Sequence, residues 1–243
     1  MKRRNVLAGL GFLPFTTLAH AEGSDWQAKV VTGGFEGSDF WAGLYVTLAD
    51  GWHTYWRVPG EAGIPPQIKV AGIDVSGFEL LFPLPSRMDD GGGGETIGYK
   101  SSVMFPLRIS TPKTATQVQG SVSAFFGVCQ QICKPAKFEA DLASAAADAP
   151  FIKAWRAKLP LTGNFANTAI QKKDELTIKL DAELDDIFVE GPEGLYFRKP
   201  EFSSGMAQLK VDGLGKNQKL RGTKIRLTAS AQGKGLEQTV TVA

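Results

Sequence analysis

Only two cysteines and two histidines occur in 243 residues. That is too few for a disulfide framework, and a structural zinc site, which takes four such ligands, is all but out of reach. An excess of charge of one sign is also missing. With 27 basic and 25 acidic residues the net charge is +2, which leaves no surplus to neutralise a run of phosphates and disfavours dedicated nucleic-acid binding. No apolar run is long enough to span a bilayer: Val6 to Leu18 holds 13 residues and is broken by Pro14, short of the roughly 20 required. What is there, 43% hydrophobic and 21% charged residues, is the balance of a chain that buries a core. Disorder, collagen and coiled coil are excluded.

The first segment reads as an export signal. Lys2, Arg3 and Arg4 precede the apolar stretch, and Ala19-His20-Ala21 supplies the small-residue pattern of a cleavage site, so residues 1–21 have the three parts of a secretory signal peptide. Arg3-Arg4 also resembles a twin-arginine signal, and both export routes stay open. Without the leader the chain keeps 222 residues, 24 basic against 25 acidic, a net charge of −1 and one histidine, His53. The expectation is a protein of an oxidising compartment, where disulfides persist.

From Trp26 to Leu142 the pattern alternates with period two between turn residues, as in short antiparallel strands. Phe40, Ala42, Leu44, Val46 and Leu48 share one face, and Val118, Val122, Ala124 and Phe126 share another. Pro59-Gly60, Pro65-Pro66, Pro83, Pro85 and the run Gly91 to Gly94 are breaks that no helix tolerates. One helix is expected, capped by Asp148, with Pro150 in its first turn and Phe151, Ala154, Trp155 and Lys158 at helical spacing. Leu159 to Asn167 then reads as a linker. Beyond it Leu176 to Leu180, Ile187 to Val189, Leu195 to Phe197, Met206 to Val211, Lys224 to Ala229 and Thr239 to Val242 alternate again, which fits a second small β-sandwich of about 75 residues. The expected organisation is all-β: a signal peptide over 1–21, a first sandwich over 22–160 ending in a short connecting helix, and a smaller second sandwich over 161–243.

Cys129-Gln-Gln-Ile-Cys133 is the one reactive constellation. As a staple it does little, since closing so short a loop stabilises a fold by about 2 kcal/mol on the chain-entropy model. As a redox couple it is well placed, because the sulfurs stay close when reduced and a mixed disulfide can be resolved without unfolding. Lys134 and Lys137 lie near enough in sequence to favour a thiolate. A structural bridge across a tight turn is the alternative. A third reading is capture of copper(I) by the two thiolates with His53 or a methionine, although the four methionines form no cluster.

Gly51-Trp-His-Thr-Tyr-Trp-Arg-Val-Pro-Gly60 places three aromatics, a histidine and an arginine before a turn. Trp52, Thr54 and Trp56 line a core in the plain reading. The functional reading puts His53, Tyr55 and Arg57 on the opposite face, available to a partner, with His53 as a proton relay to a thiolate. Arg87 to Tyr99 is a glycine-rich loop without the ending of a phosphate cradle. It suits a surface hairpin or a lid over a reactive site. Asp89, Asp90 and Glu95 lack EF-hand spacing, so a solvated turn outweighs a calcium site. The acidic stretch Asp181 to Glu190 reads as a solvated face rather than a docking site.

Four separated stretches, Gly51 to Pro66, Phe82 to Arg87, Ile97 to Tyr99 and Gly127 to Ala136, resemble in order the periplasmic N-terminal domain of the DsbD and ScsB family of thiol:disulfide interchange proteins. The ScsB-like branch is nearest, and Phe188 to Gly194 extends a weaker likeness. The resemblance implies an immunoglobulin-like sandwich in the periplasm whose cysteine pair, Cys129 and Cys133, exchanges disulfides with partners. Cys133 would be the residue that bonds to the partner, with Trp52, His53, Tyr55, Arg57, Lys134 and Pro135 around it. The loop Asp89 to Tyr99, with Asp90, would be a cap over the sulfurs. Implied partners are thioredoxin-like periplasmic proteins and a membrane thiol reductant, with no organic cofactor. In the family a membrane domain supplies electrons and a thioredoxin-like domain often follows. This sequence stops at Ala243 with neither, so the expectation is that it receives electrons from another protein or is an oxidised endpoint. ScsB-like proteins are also associated with copper tolerance, which keeps a copper(I)-binding module as the alternative function beside an inert structural bridge.

Overall fold

In the computed structural model residues 21–23, 25–60, 63–89, 94–216 and 218–243 are described. The signal-peptide expectation lies almost wholly outside them. The elements in chain order are β1 (Ala21–Gly23), β2 (Trp26–Glu36), β3 (Asp39–Leu48), β4 (His53–Gly60), β5 (Gln67–Ile73), β6 (Gly77–Leu80), β7 (Ser86–Asp89), β8 (Glu95–Lys100), β9 (Ser102–Ser110), β10 (Gln119–Cys129), β11 (Cys133–Leu142) and α1 (Ala149–Arg156), followed by β12 (Leu161–Thr162), β13 (Ala166–Lys172), β14 (Glu175–Leu180), β15 (Asp186–Glu190), β16 (Tyr196–Phe197), β17 (Glu201–Ser203), β18 (Met206–Asp212), β19 (Lys224–Ala231) and β20 (Lys234–Thr241).

They form four sheets. The first sandwich pairs the order β1-β2-β3-β9-β6 with the order β11-β10-β4-β8-β7, and β5 adds to β10. The second pairs β12-β20-β19-β15 with β13-β14-β18-β16, and β17 adds to β18. The expected all-β, immunoglobulin-like architecture with one short helix is what is found. Alternation accounts for the first core: Phe40, Ala42, Leu44 and Val46 of β3 are fully buried against Val122, Ala124, Phe126 and Val128 of the facing sheet. The second core is built the same way from residues that include Leu176, Ile178, Leu209, Val211, Ile225 and Leu227.

The other face of β3 is covered as well, and here the helix differs from expectation. Ile152, 1% exposed, packs with Val31, Trp41 and Met104, and Phe151 and Trp155 flank it. The buried stripe is therefore Phe151, Ile152 and Trp155, while Ala154 and Lys158 are exposed. Asp148 precedes α1 but makes no side-chain cap. Its carboxylate instead accepts a hydrogen bond from the Thr32 amide at 3.2 Å, and its own amide donates to the Thr32 carbonyl at 2.9 Å, which ties the helix to β2.

The segment read as a linker is largely incorporated into the second sandwich. Leu161 and Thr162 pair in parallel with Leu236 and Glu237, Phe165 is 1% exposed, and the Gln238 side chain accepts from the Phe165 and Ala166 amides. The acidic stretch is also not a plain solvated face. Asp186 accepts from Arg87 Nε at 2.8 Å, and Glu190 accepts from Arg57 Nε at 2.5 Å. Between them Phe188 and the more distant Tyr196 join the first core. Burial raises the Asp186 pKa, with Arg87 beside it offsetting only part of the desolvation.

Candidate functional site

Strands β10 and β11 form a hairpin whose last register pair is Cys129 with Cys133. The turn is therefore Gln130-Gln131-Ile132, and the two cysteines, 4.2 Å apart at Cα, are disulfide-bonded. Direct opposition on antiparallel strands is what brings the two side chains together. The two sulfurs have unlike surroundings. Cys129 is 2% exposed, whereas Cys133 is exposed.

Strand β4 supplies the buried side of the site. Its first residues pair with the end of β10, Thr54 opposite Val128 and His53 opposite Cys129. Tyr55 then reaches diagonally across β10, and its hydroxyl donates to the sulfurs, 2.7 Å from Cys129 Sγ and 2.9 Å from Cys133 Sγ. Two glycines make room for that ring. A Cβ on Gly127 would stand 2.7 Å from Tyr55 Cε2, and one on Gly63 would stand 2.5 Å from Tyr55 Cε1. Gly127 is pinned on both polar groups, donating to the Ile64 carbonyl at 2.9 Å and accepting from Thr54 Oγ1 at 2.8 Å. His53 meets the Tyr55 ring edge-on with centroids 5.4 Å apart.

The remaining residues singled out in the sequence divide into two groups. Near the sulfurs are Trp52, Lys134 and Pro135. Lys134 Nζ lies 4.7 Å from the centroid of the Trp52 ring and donates to Asp25 at 2.6 Å, so its charge is already balanced by a carboxylate. Pro135 is exposed and pairs with Gly127. The second group lies away from the sulfurs. Arg57 projects to the second sandwich, where its guanidinium bonds Glu190, Glu237 at 2.6 Å and Thr228 at 3.1 Å. It is a junction residue and is not available to a partner. Tyr99 is buried in the first core and donates to the Pro83 carbonyl at 2.7 Å. Burial pushes its pKa well above the usual phenol value, and the nearby positive charge of Arg57 offsets part of that rise.

The loop Asp89 to Tyr99 is a hairpin of β7 and β8, with Asp90 outside the described residues. Lys100 stands opposite His53, and Thr96 opposite Gly60. The strand thus leads away from the cysteines, about 17 Å along β8 from Lys100 to Glu95. At that end Asp89, Glu95 and Arg87 line a cleft with Arg198 and Lys199 of the second sandwich, and Glu95 accepts from Arg87 at 2.7 Å and from the Tyr196 hydroxyl at 2.6 Å. The segment that closes over Tyr55 is Gly63-Ile64, which the sequence reading did not single out. Its glycine, followed by Ile64-Pro65-Pro66, was the available signal. Asp25, the partner of Lys134, carried none.

Among the described residues no group of three or more histidine, cysteine, aspartate or glutamate side chains gathers around one point. No described helix is long and apolar enough to cross a membrane.

The site and sandwich define a class, an immunoglobulin-like all-β protein with a disulfide at the tip of a β-hairpin. Residues 24–144 match the family model "Thiol:disulfide interchange protein DsbD, N-terminal", and this part of the chain is a DsbD/ScsB-like N-terminal domain. The structure is similar to the crystal structure of the N-terminal periplasmic domain of ScsB from Proteus mirabilis, with a TM-score of 0.78, 22% sequence identity and coverage of 93% of this chain and 98% of that one. No curated protein matches the chain.

Proposed function

We propose that this protein exchanges disulfides with thioredoxin-like proteins of the periplasm, and that Cys133 is the sulfur they attack. The observation that carries this reading is the asymmetry of the pair: an exposed Cys133 joined to a buried Cys129 under a phenol. A partner thiolate attacks Cys133 Sγ in line with the S–S bond. That bond breaks, the new intermolecular disulfide forms, and the electron pair leaves on Cys129 Sγ, where the Tyr55 hydroxyl stabilises it as a thiolate. The partner's second thiolate then attacks its own mixed-disulfide sulfur and releases Cys133. The result is a reduced pair here and an oxidised partner. In the reverse direction Cys133 attacks a partner disulfide and Cys129 resolves it. The chemistry is that of a protein-disulfide oxidoreductase and calls for no organic cofactor. The basic leader and the family of residues 24–144 support the periplasmic assignment.

Equilibration against glutathione and dithiothreitol, with each state counted by mass after alkylation, tests the reading. A reduction potential between about −180 and −270 mV is expected for a working exchange protein. A value below about −300 mV, or thiols that never alkylate in the folded state, would make the bridge structural. Cys129→Ser should trap partners as mixed disulfides through Cys133, and Cys133→Ser should trap none. A copper(I)-binding role is the second reading, supported by the register pair of His53 with Cys129, which puts the two residues opposite each other on neighbouring strands. Copper(I) titration of the reduced protein against the double Cys→Ser variant separates the two.

A further inference from the structure

The tip of the cysteine hairpin carries an apolar side chain that the fold does not use. Ile132 is 73% exposed and belongs to none of the three clusters of the cores. Other large apolar side chains are exposed too, Ile73 and Leu161 among them, but Ile132 immediately precedes the exposed Cys133. That position has a geometric consequence. A mixed disulfide brings the two bridged Cα atoms within roughly 5–6 Å of each other, and the Cα of Ile132 is a single peptide unit, about 3.8 Å, from that of Cys133. Any protein bonded to Cys133 therefore covers Ile132.

The tip also indicates what kind of surface covers it. Gln130 and Gln131 are exposed and uncharged, and the nearest cation, Lys134, is held by Asp25. The turn thus presents no net charge for a partner to read. Its one β-branched apolar side chain, Ile132, is exposed and adjoins the exposed Cys133 in sequence. Resting on the exchange reading above, we propose that Gln130-Gln131-Ile132 is a docking knob, with Ile132 its apolar anchor, received by an uncharged apolar depression beside the reactive cysteine of a thioredoxin-like partner. Ile132 selects the partner and takes no part in the sulfur chemistry, in which the partner dithiol is oxidised to a disulfide and the Cys129–Cys133 bond is reduced to two thiols.

The test compares a protein reductant with a small one on the full chain. Second-order rate constants are measured for reduction by reduced thioredoxin and by dithiothreitol, for wild type, Ile132→Asp and Ile132→Leu. Ile132→Asp should lower the thioredoxin rate at least tenfold while its dithiothreitol rate stays within twofold of wild type, and Ile132→Leu should stay within twofold for both. A thioredoxin rate within twofold of wild type for Ile132→Asp overturns the knob, as does an equal fall with both reductants. A wild-type pair that dithiothreitol reduces and thioredoxin does not would instead sink the exchange reading, so the two failures are distinguishable.

Discussion

A phenol, Tyr55, lies within hydrogen-bonding distance of both sulfurs. Cys129 is nearly sealed from water, and a thiolate there without a donor would carry the full desolvation penalty of a charge. Tyr55 supplies that donor at 2.7 Å, and hydrogen bonds to charged groups are worth about 1.5–3 kcal/mol. Tyr55→Phe should therefore destabilise the Cys129 thiolate of the reduced pair by a like amount. Because the reduced form is then less stable, the potential of the pair should move to more negative values by about 30 mV or more at a pH where the wild-type thiolate is populated. Thiolate absorbance followed against pH in the reduced proteins checks the first effect, and an unchanged titration would remove Tyr55 from the chemistry. A second phenol has the opposite character. Tyr99 is buried with its pKa raised above the usual 10.0, so the folded state keeps the proton that the unfolded chain gives up. Its contribution is fully present below pH 10 and is lost as pH rises beyond it, by about 1.4 kcal/mol per pH unit. Tyr99→Phe should cost roughly 0.5–1.5 kcal/mol at pH 8 through the lost bond to the Pro83 carbonyl, and urea midpoints should show the gap to wild type closing by pH 11. At this scale the spacing of Cys129 and Cys133 was legible, and alternation gave the expectation of His53, Tyr55 and Arg57 on one face. What alternation could not say is that this face is covered. Gly63 and Ile64 close over Tyr55, and carboxylates 133 and 180 positions away hold Arg57.

The strands are the elements that period two makes visible: β3, β10, β14 and β18 are where the alternation places them, whereas β20 begins at Lys234, five residues before the Thr239 expected. Of the elements of two or three residues, Tyr196–Phe197 was read from its apolar residues, whereas Leu161–Thr162 and Glu201–Ser203 are too short to show any period and exist only through their partners β20 and β18. The helix was legible for a different reason, its Pro150 start and apolar spacing, but the residue that anchors it was not. Phe151, Ala154 and Trp155 look like the stripe on paper, whereas Ile152 is the side chain that enters the gap beside Gly33, where a Cβ would come within 3.1 Å of its Cδ1. The register of a one-sided helix on a sheet is set by where the sheet leaves space, and that lies outside local sequence. The consequence is specific. Ile152→Ala should destabilise the protein by about 2–5 kcal/mol, the range for emptying a well-packed aliphatic site, while Ala154→Ser on the exposed side should change stability by less than about 0.5 kcal/mol. Urea denaturation of the two variants distinguishes the faces, and equal effects would mean that α1 does not pack through Ile152.

Across the whole molecule, the two sandwiches meet through paired arginines and aromatics. Arg57 lies 4.4 Å from the centroid of the Trp56 ring, and Arg87 lies 4.9 Å from that of Phe188, while the two rings themselves are 5.8 Å apart. Each guanidinium is then met by carboxylates of the second sandwich. The Arg57 side chain is 16% exposed and its two partners 33% each, so water relieves part of the electrostatics and the pairs are worth less than fully buried ones. Removing the cation alone leaves Glu190 with only the looser Arg226 pair at 3.8 Å and Glu237 with the Thr228 hydroxyl at 3.3 Å. Arg57→Met should therefore cost about 1–3 kcal/mol, and adding Glu190→Gln and Glu237→Gln should return part of that loss, because the poorly compensated charges are then gone. The same substitution probes whether the junction reaches the sulfurs, since Arg57 follows Tyr55 by two residues on β4. Its charge is neutralised locally and directed away from the hairpin, so the potential of the Cys129–Cys133 pair in Arg57→Met should stay within about 15 mV of wild type, an energy near 0.7 kcal/mol. Calorimetry and glutathione equilibration on the same variant measure both quantities. A stability loss with an unmoved potential would make the junction structural, and a shift of about 30 mV or more would mean that the second sandwich sets the position of Tyr55 and, through it, the redox balance of the site.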